Sequence, residues 1–203
     1  WDWTQHDPYA RHAVCLHFRA IIPATLMEGC RYVHDPVHAW RTEHFNLAFQ
    51  ESEVLYPDGP GGKAISVFES GAILQYRGRK SGKFYPKNER DRVKVDEWIY
   101  WQMCGLGPMA GQAHHFRQYA PKKISYAVKR YTDEVNRLYG VMNKQLRKNE
   151  YLAGRYSIAD MACWGWVKPW KNQGQKISDF PYLEKWLEKV GNRPAVKRGF
   201  AVG

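Results

Sequence analysis

Long apolar runs are missing from this 203-residue chain. No stretch of about 18 apolar residues occurs, which excludes a membrane-spanning helix. Cysteine is sparse: Cys15, Cys30, Cys104 and Cys163 lie far apart with no CxxC pair. That usage suits a reducing cytosol better than a disulfide framework or a thiolate metal site. A basic-then-apolar leader is also missing and the chain opens at Trp1, so a trimmed or incomplete chain is expected. Lysine is absent up to Leu55, where four Arg face seven acids; from Tyr56 onward 27 bases face 13 acids. The net charge of +11 therefore comes from the later part and can attract anions of any kind. No RNP, zinc-finger or basic-zipper pattern accompanies it, so nucleic-acid recognition is not expected and solvated helix faces are the expected use. What is present is ordinary for a globular protein, 25% charged and 44% hydrophobic, in a length that suits one large or two small domains.

Three regions differ in character. Residues 1–55 hold six of the eight histidines and have poor periodicity, with a strand or helix within Arg11 to Ala24 and a weak helix over Glu43 to Glu53. His34, His38 and His44 could suggest a metal, but Pro36 separates the first two and no acidic ligand pattern follows, so no metal site is expected. Pro57-Asp58-Gly59-Pro60-Gly61-Gly62 is a turn by composition. It leads into a short strand over Lys63 to Phe68, which rules out a phosphate loop, as does Ala64 where a Ser or Thr would hold Mg²⁺.

The remainder reads as helices: Glu69 to Arg79, Asn88 to Cys104, then Gln112 to Phe116 after an interruption at Gly105, Gly107 and Pro108. Ile124, Val128, Tyr131, Val135, Leu138 and Met142 alternate steps of four and three, and Leu183, Trp186, Leu187 and Val190 repeat the pattern. Four or five helices with short connections predict an all-α C-terminal domain. Ser157-Ile158-Ala159-Asp160 is a capping-box signal, with Tyr156 and Met161 at the staple positions. It concerns folding rather than catalysis. Trp164, Trp166 and Trp170 are expected in the core, with lining of an acceptor pocket as the other reading, and His114-His115 is expected to pack inside the helical domain or border a cleft.

The most informative junction is Phe68-Glu69-Ser70-Gly71-Ala72-Ile73. A helix start offers free amides and partial positive charge to a carboxylate. Ser70 adds a hydroxyl and Glu69 a negative charge, so together they suit a zwitterion such as the γ-glutamyl end of glutathione. Taken alone, Glu and Ser at a helix start are more often simple caps.

The surrounding strings are more specific. Val67-Phe68-Glu69-Ser70-Gly71-Ala72-Ile73-Leu74-Gln75-Tyr76 resembles the glutathione-binding segment of Nu-class glutathione transferases. Trp98 to Met109, Gly111 to Phe116, Tyr126 to Tyr131, Tyr156 to Ala162 and Arg193 to Val196 continue the resemblance in order, over roughly 57–203. The resemblance implies an α/β plus all-α fold. A thioredoxin-like βαβαββα domain over 1–82 precedes an all-helical C-terminal domain over 88–203, and the subunits dimerise. It implies glutathione, reduced or as its disulfide, as co-substrate, held by Glu69, Ser70 and Arg130, with a small electrophile or disulfide as second partner. Arg130 has a physical reason, because a guanidinium pairs with a carboxylate in bidentate fashion; by itself it reads equally as a solvated helix residue.

Departures matter as much. The family's Thr-Pro-Asn turn and its cis-proline loop have no counterpart in 1–55. His6-Asp7-Pro8-Tyr9 occupies the turn's place without those side chains, and Gln50 to Leu55 stands where the loop belongs without a proline. An altered reading frame or misjoined coding segment would account for this. The catalytic group is therefore left unassigned. Two readings follow: a cytoplasmic glutathione transferase or glutathione-dependent disulfide reductase, and a non-catalytic binding or scaffold protein that has lost thiolate stabilisation.

Overall fold

A computed structural model describes residues 54–200 of the chain. His6 to Tyr9, the histidines His34, His38 and His44, and the segments 11–24 and 43–53 lie outside the described residues.

Val54–Tyr56 (β1) pairs antiparallel with Ile65–Val67 (β2), Tyr56 standing opposite Ile65. The proline- and glycine-rich turn joins them, with Gly61 and Gly62 at positive φ. Helix α1, Ser70–Ser81, follows directly. This ββα order is the one expected for the end of a βαβαββα domain, whose earlier elements would fall outside the described residues. After a linker, α2 spans Glu89–Trp101, capped by the Asn88 side chain accepting from the Asp91 amide at 3.2 Å. Then come α3 (Gly107–Gln118), α4 (Ser125–Leu146), α5 (Ile158–Val167), α6 (Pro181–Gly191) and α7 (Pro194–Phe200).

Two expectations change in detail. Gly105, Gly107 and Pro108 do not break the chain out of helix. Gln102–Leu106 forms a π-helical turn and α-helix resumes at Gly107, with Pro108 in its first turn. Proline cannot donate to the carbonyl four residues back and its ring crowds that carbonyl; widening the preceding turn relieves both and keeps α2 and α3 continuous. As a result six α-helices follow residue 88 among the described residues, rather than four or five. Ile124, the first member of the periodic stripe, is exposed at the N-cap of α4, and full burial on that face begins at Val135.

Two apolar cores result among the described residues. One joins Tyr56 and the Ile73–Leu74 pair of α1 to Val95 and Ile99 of α2 and to Ile158 and Met161 of α5. The other fills the space between α3, α4, α5 and α6, with Leu138, Met142, Cys163, Leu183 and Trp186 at its centre. Each fully buried Leu or Ile contributes roughly 1.5–3 kcal/mol, so α5, which enters both cores, carries much of the fold. Trp164 is buried as expected, while Trp166 and Trp170 are only partly buried at its edge.

The capping box is realised. The Ser157 hydroxyl accepts from the Ala159 amide at 3.3 Å, and Asp160 accepts from the Ser157 amide at 3.0 Å. Asp160 does more than the motif asks: it also accepts from the Leu152 amide at 3.1 Å and from Trp186 Nε1 at 2.8 Å. Burial raises its carboxyl to about 6 against the opposing pull of these donors.

Candidate functional site

Strand β2 hands over to α1 through two residues, Phe68 and Glu69, and the second is strained. Glu69 sits at φ 70 and ψ 121, in the half of backbone space that favours glycine. A non-glycine residue held there costs on the order of 1–3 kcal/mol. The bend begins α1 abruptly. Among the described residues its first amides have no side-chain cap, so the donor groups that every helix start leaves open stay uncapped there. Among the described residues the Glu69 carboxylate has no hydrogen-bonding or ion-pairing partner. A simple cap would close such groups internally, and this junction does not.

What seats the junction is the far end of α2. The Ser70 hydroxyl lies 3.4 Å from Met103 Sδ in the π-helical turn. A Cβ at Gly71 would come within 3.3 Å of Ile99 and Met103, so glycine allows α1 to lie directly on α2 at this point. A thioether is a weak acceptor, and Ser70 can therefore turn its proton toward a better one. Both Glu69 and Ser70 are partly buried, beside the exposed Phe68.

Behind the junction, Asp96 of α2 ties three segments together. It accepts from Gln75 Nε2 of α1 at 2.8 Å and from the Tyr85 hydroxyl at 2.7 Å. Burial, with the Asp96 contact second, pushes the Tyr85 phenol up to about 12, so it stays a donor. The linker is pinned further by Arg92, which donates to the carbonyls of Pro86 and Lys87 at 3.0 Å each. Phe84, itself at φ 60, gives its carbonyl to the Ile158 amide at the start of α5. These long-range pairs leave no periodic mark and were invisible to sequence reasoning; Met103, Asp96 and Phe84 are the residues it missed.

Arg130 stands exposed on the second turn of α4. Its charge helps hold the Glu134 carboxyl low, after the larger effect of the Arg137 contact. Among the described residues it makes no hydrogen bond or ion pair. The structure thus puts Glu69 and Ser70 together and leaves Arg130 on the neighbouring helical half with its guanidinium uncommitted. The histidine pair packs by ring contacts: His114 stacks on Tyr119 at 5.3 Å, and His115 meets Phe116 edge-on at 5.1 Å.

Comparison with known proteins agrees with this architecture. Residues 111–198 match the family model for the glutathione S-transferase C-terminal domain. The chain is 47% identical over 136 residues to the disulfide-bond oxidoreductase YfcG of Escherichia coli, a match covering 66% of this chain and 63% of that protein. The chain thus spans less than two thirds of that relative's length. A Pseudomonas putida glutathione transferase, solved with one glutathione disulfide per subunit, superposes with a TM-score of 0.68 at 36% identity, covering 73% of this chain and 67% of that one. A Burkholderia graminis glutathione transferase, solved with two glutathione molecules per subunit, gives 0.72 at 30% identity, covering 92% and 82%. The helical half carries the family's sequence and the ββα unit its strand-to-helix junction; the chain belongs to the glutathione S-transferase family.

Proposed function

We propose that this chain binds glutathione, reduced or as its disulfide, and works in glutathione-dependent thiol–disulfide or transferase chemistry as a cytoplasmic homodimer. The observation that carries the reading is the strained Glu69 at the start of α1, whose carboxylate has no partner among the described residues. In this reading the glutamyl ammonium pairs with Glu69, while the glutamyl carboxylate takes the Ser70 hydroxyl and the open amides of α1. Arg130 pairs with a glutathione carboxylate from the helical half. Support comes from relatives solved with glutathione or its disulfide and from the oxidoreductase YfcG.

The division into a glutathione-binding domain over 1–82 and a helical domain over 88–203 belongs to the same proposal, with the pinned linker between α1 and α2 as its hinge of sequence. Phe68 and Tyr100, exposed to 61% and 60%, are among the exposed apolar side chains available to a subunit contact.

The sulfur chemistry resides in glutathione itself. A bound thiol held near donors ionises more readily; its thiolate attacks a disulfide, forming one S–S bond as the other sulfur leaves as a thiolate, or an electrophilic carbon, forming a C–S bond as that carbon's leaving group departs. No residue is assigned to stabilise that thiolate. The lack of a Thr-Pro-Asn turn in 1–55 favours the second reading, a binding or scaffold protein without turnover. Retention on immobilised glutathione, followed by a disulfide-exchange assay, separates the two. Retention with turnover supports the enzyme, retention without turnover the scaffold, and passage through the column defeats both.

A further inference from the structure

The 35 residues from Trp98 to Thr132 contain no aspartate or glutamate, yet they hold Arg117, Lys122, Lys123, Lys129 and Arg130. In a chain where acids and bases otherwise mix, such a gap concentrates field at one place if the fold gathers these cations. It does. Helices α3 and α4 are antiparallel neighbours joined by the short segment 119–124, and Phe116 near the end of α3 stacks on Tyr131 of α4 at 5.5 Å and 9°. Arg117 and Arg130 are the chain neighbours of that stacked pair, and Lys122 and Lys123 lie in the segment that joins the two helices. Arg130 is five residues into α4, so its Cα is about 7.5 Å along the helix axis from Ser125.

Most of these charges are uncommitted. Lys129 is paired with Asp133 at 2.5 Å. Arg117, Lys122, Lys123 and Arg130 form no ion pair among the described residues. Arg117 is also held in place. A Cβ at Gly174, whose φ is +74, would lie 2.5 Å from the guanidinium carbon, so only glycine leaves room for it there. Gln118 Nε2, next along, donates to the Asn172 carbonyl at 3.4 Å.

We propose that this acid-free end of the α3–α4 hairpin is an electropositive rim that makes the chain select anionic second substrates, disulfides or electrophiles carrying carboxylates, over neutral ones of equal reactivity. The inference rests on the function proposed above, because Arg130 is the member of the rim assigned to glutathione. Its physical basis is focusing: unpaired cations on one rim raise the local concentration of anions and the rate of productive encounter, by about tenfold or more at low salt. The same field is screened over about 3 Å at 1 M salt but reaches about 30 Å at 0.01 M. A nucleic acid would also feel this charge, and is an outcome of the test.

Lys122 and Lys123 provide the test, since both are exposed on a connecting segment. Binding is followed by tryptophan fluorescence at 0.01 M and 1 M salt, for reduced glutathione, its doubly anionic disulfide and the neutral bis(2-hydroxyethyl) disulfide, with each ligand titrated into the full chain. The double variant Lys122→Glu/Lys123→Glu should weaken glutathione disulfide about tenfold at low salt, leave the neutral disulfide within twofold, and lose its effect at 1 M. The milder Lys122→Gln/Lys123→Gln pair should give about half that change on a logarithmic scale, which guards against a folding artefact in the first. Equal affinities in wild type and both variants at low salt, with glutathione itself still bound, overturn the rim alone. Failure of the wild type to bind any glutathione species overturns the function beneath it. A salt-dependent DNA oligonucleotide affinity exceeding that for the disulfide would reassign the rim and likewise overturn the proposal.

Discussion

Two helix starts in this molecule use the same chemistry to opposite ends. At α5, Ser157 and Asp160 meet four donors inside the fold, and Asp160 is fully buried. At α1, Glu69 and Ser70 present the same kinds of group, one carboxylate and one hydroxyl, on a strained turn where a thioether is their only side-chain partner among the described residues. A hydroxyl and a carboxylate at a helix start stabilise a fold when neighbouring segments supply their partners. They offer a ligand site when the partners are left out and strain is accepted in exchange. Pairing, not residue type, distinguishes the two.

Breaking the internal side of the comparison should produce the largest effect. Asp160→Ala leaves the Leu152 and Ser157 amides and the Trp186 indole without their acceptor, and orphaned buried donors are costly. We expect a loss of about 4 kcal/mol, read as a lowered urea midpoint. The same carboxyl gives stability a pH dependence. Its folded value of about 6 lies above the ordinary 3.8, so the folded state holds the proton more tightly. The stabilisation is complete below about pH 3.8 and is lost as pH rises through about 6, amounting to about 3 kcal/mol by linkage. Urea titrations at pH 5 and pH 7.5 should show the higher midpoint at pH 5, and Asp160→Asn should flatten the difference.

The external side should respond in reverse. Glu69→Gly relieves the φ 70 backbone and removes the carboxylate. Thermal denaturation should show a gain of about 1 kcal/mol in stability, while glutathione affinity falls about tenfold or more. A variant that lost both stability and affinity would mean that Glu69 is a structural cap after all. Ser157→Ala, the smallest change, should cost about 1 kcal/mol by chemical denaturation and leave glutathione affinity unchanged.

The two starts also differed in how legible they were. The α5 cap was readable because its parts lie within four residues and an apolar run follows. Asp160's further bonds to Leu152 and Trp186 were not, since they join residues 8 and 26 positions apart. The periodic helices could be read for the same local reason, although Ile124 followed the pattern and stayed exposed, because it sits at the cap of α4 rather than within it. Proline and glycine near 105–108 read as a break in helix. They mark a π-helical turn instead, which no local propensity distinguishes from a loop. At α1 the residue types were visible, while the strain at Glu69 and the seat on Met103 depend on how α1 meets α2. Residues 1–53, which stand where the family's thiolate-stabilising turn belongs, lie outside the described residues, and no residue is assigned to that role.

Calorimetric titration of glutathione and of cysteinylglycine, the same molecule without its γ-glutamyl end, most directly tests whether the Glu69–Ser70 junction reads that end. Glutathione should bind and cysteinylglycine should bind at least about tenfold more weakly, with the gap closing in Glu69→Gly. Equal affinity of the two peptides for the unaltered chain would contradict it.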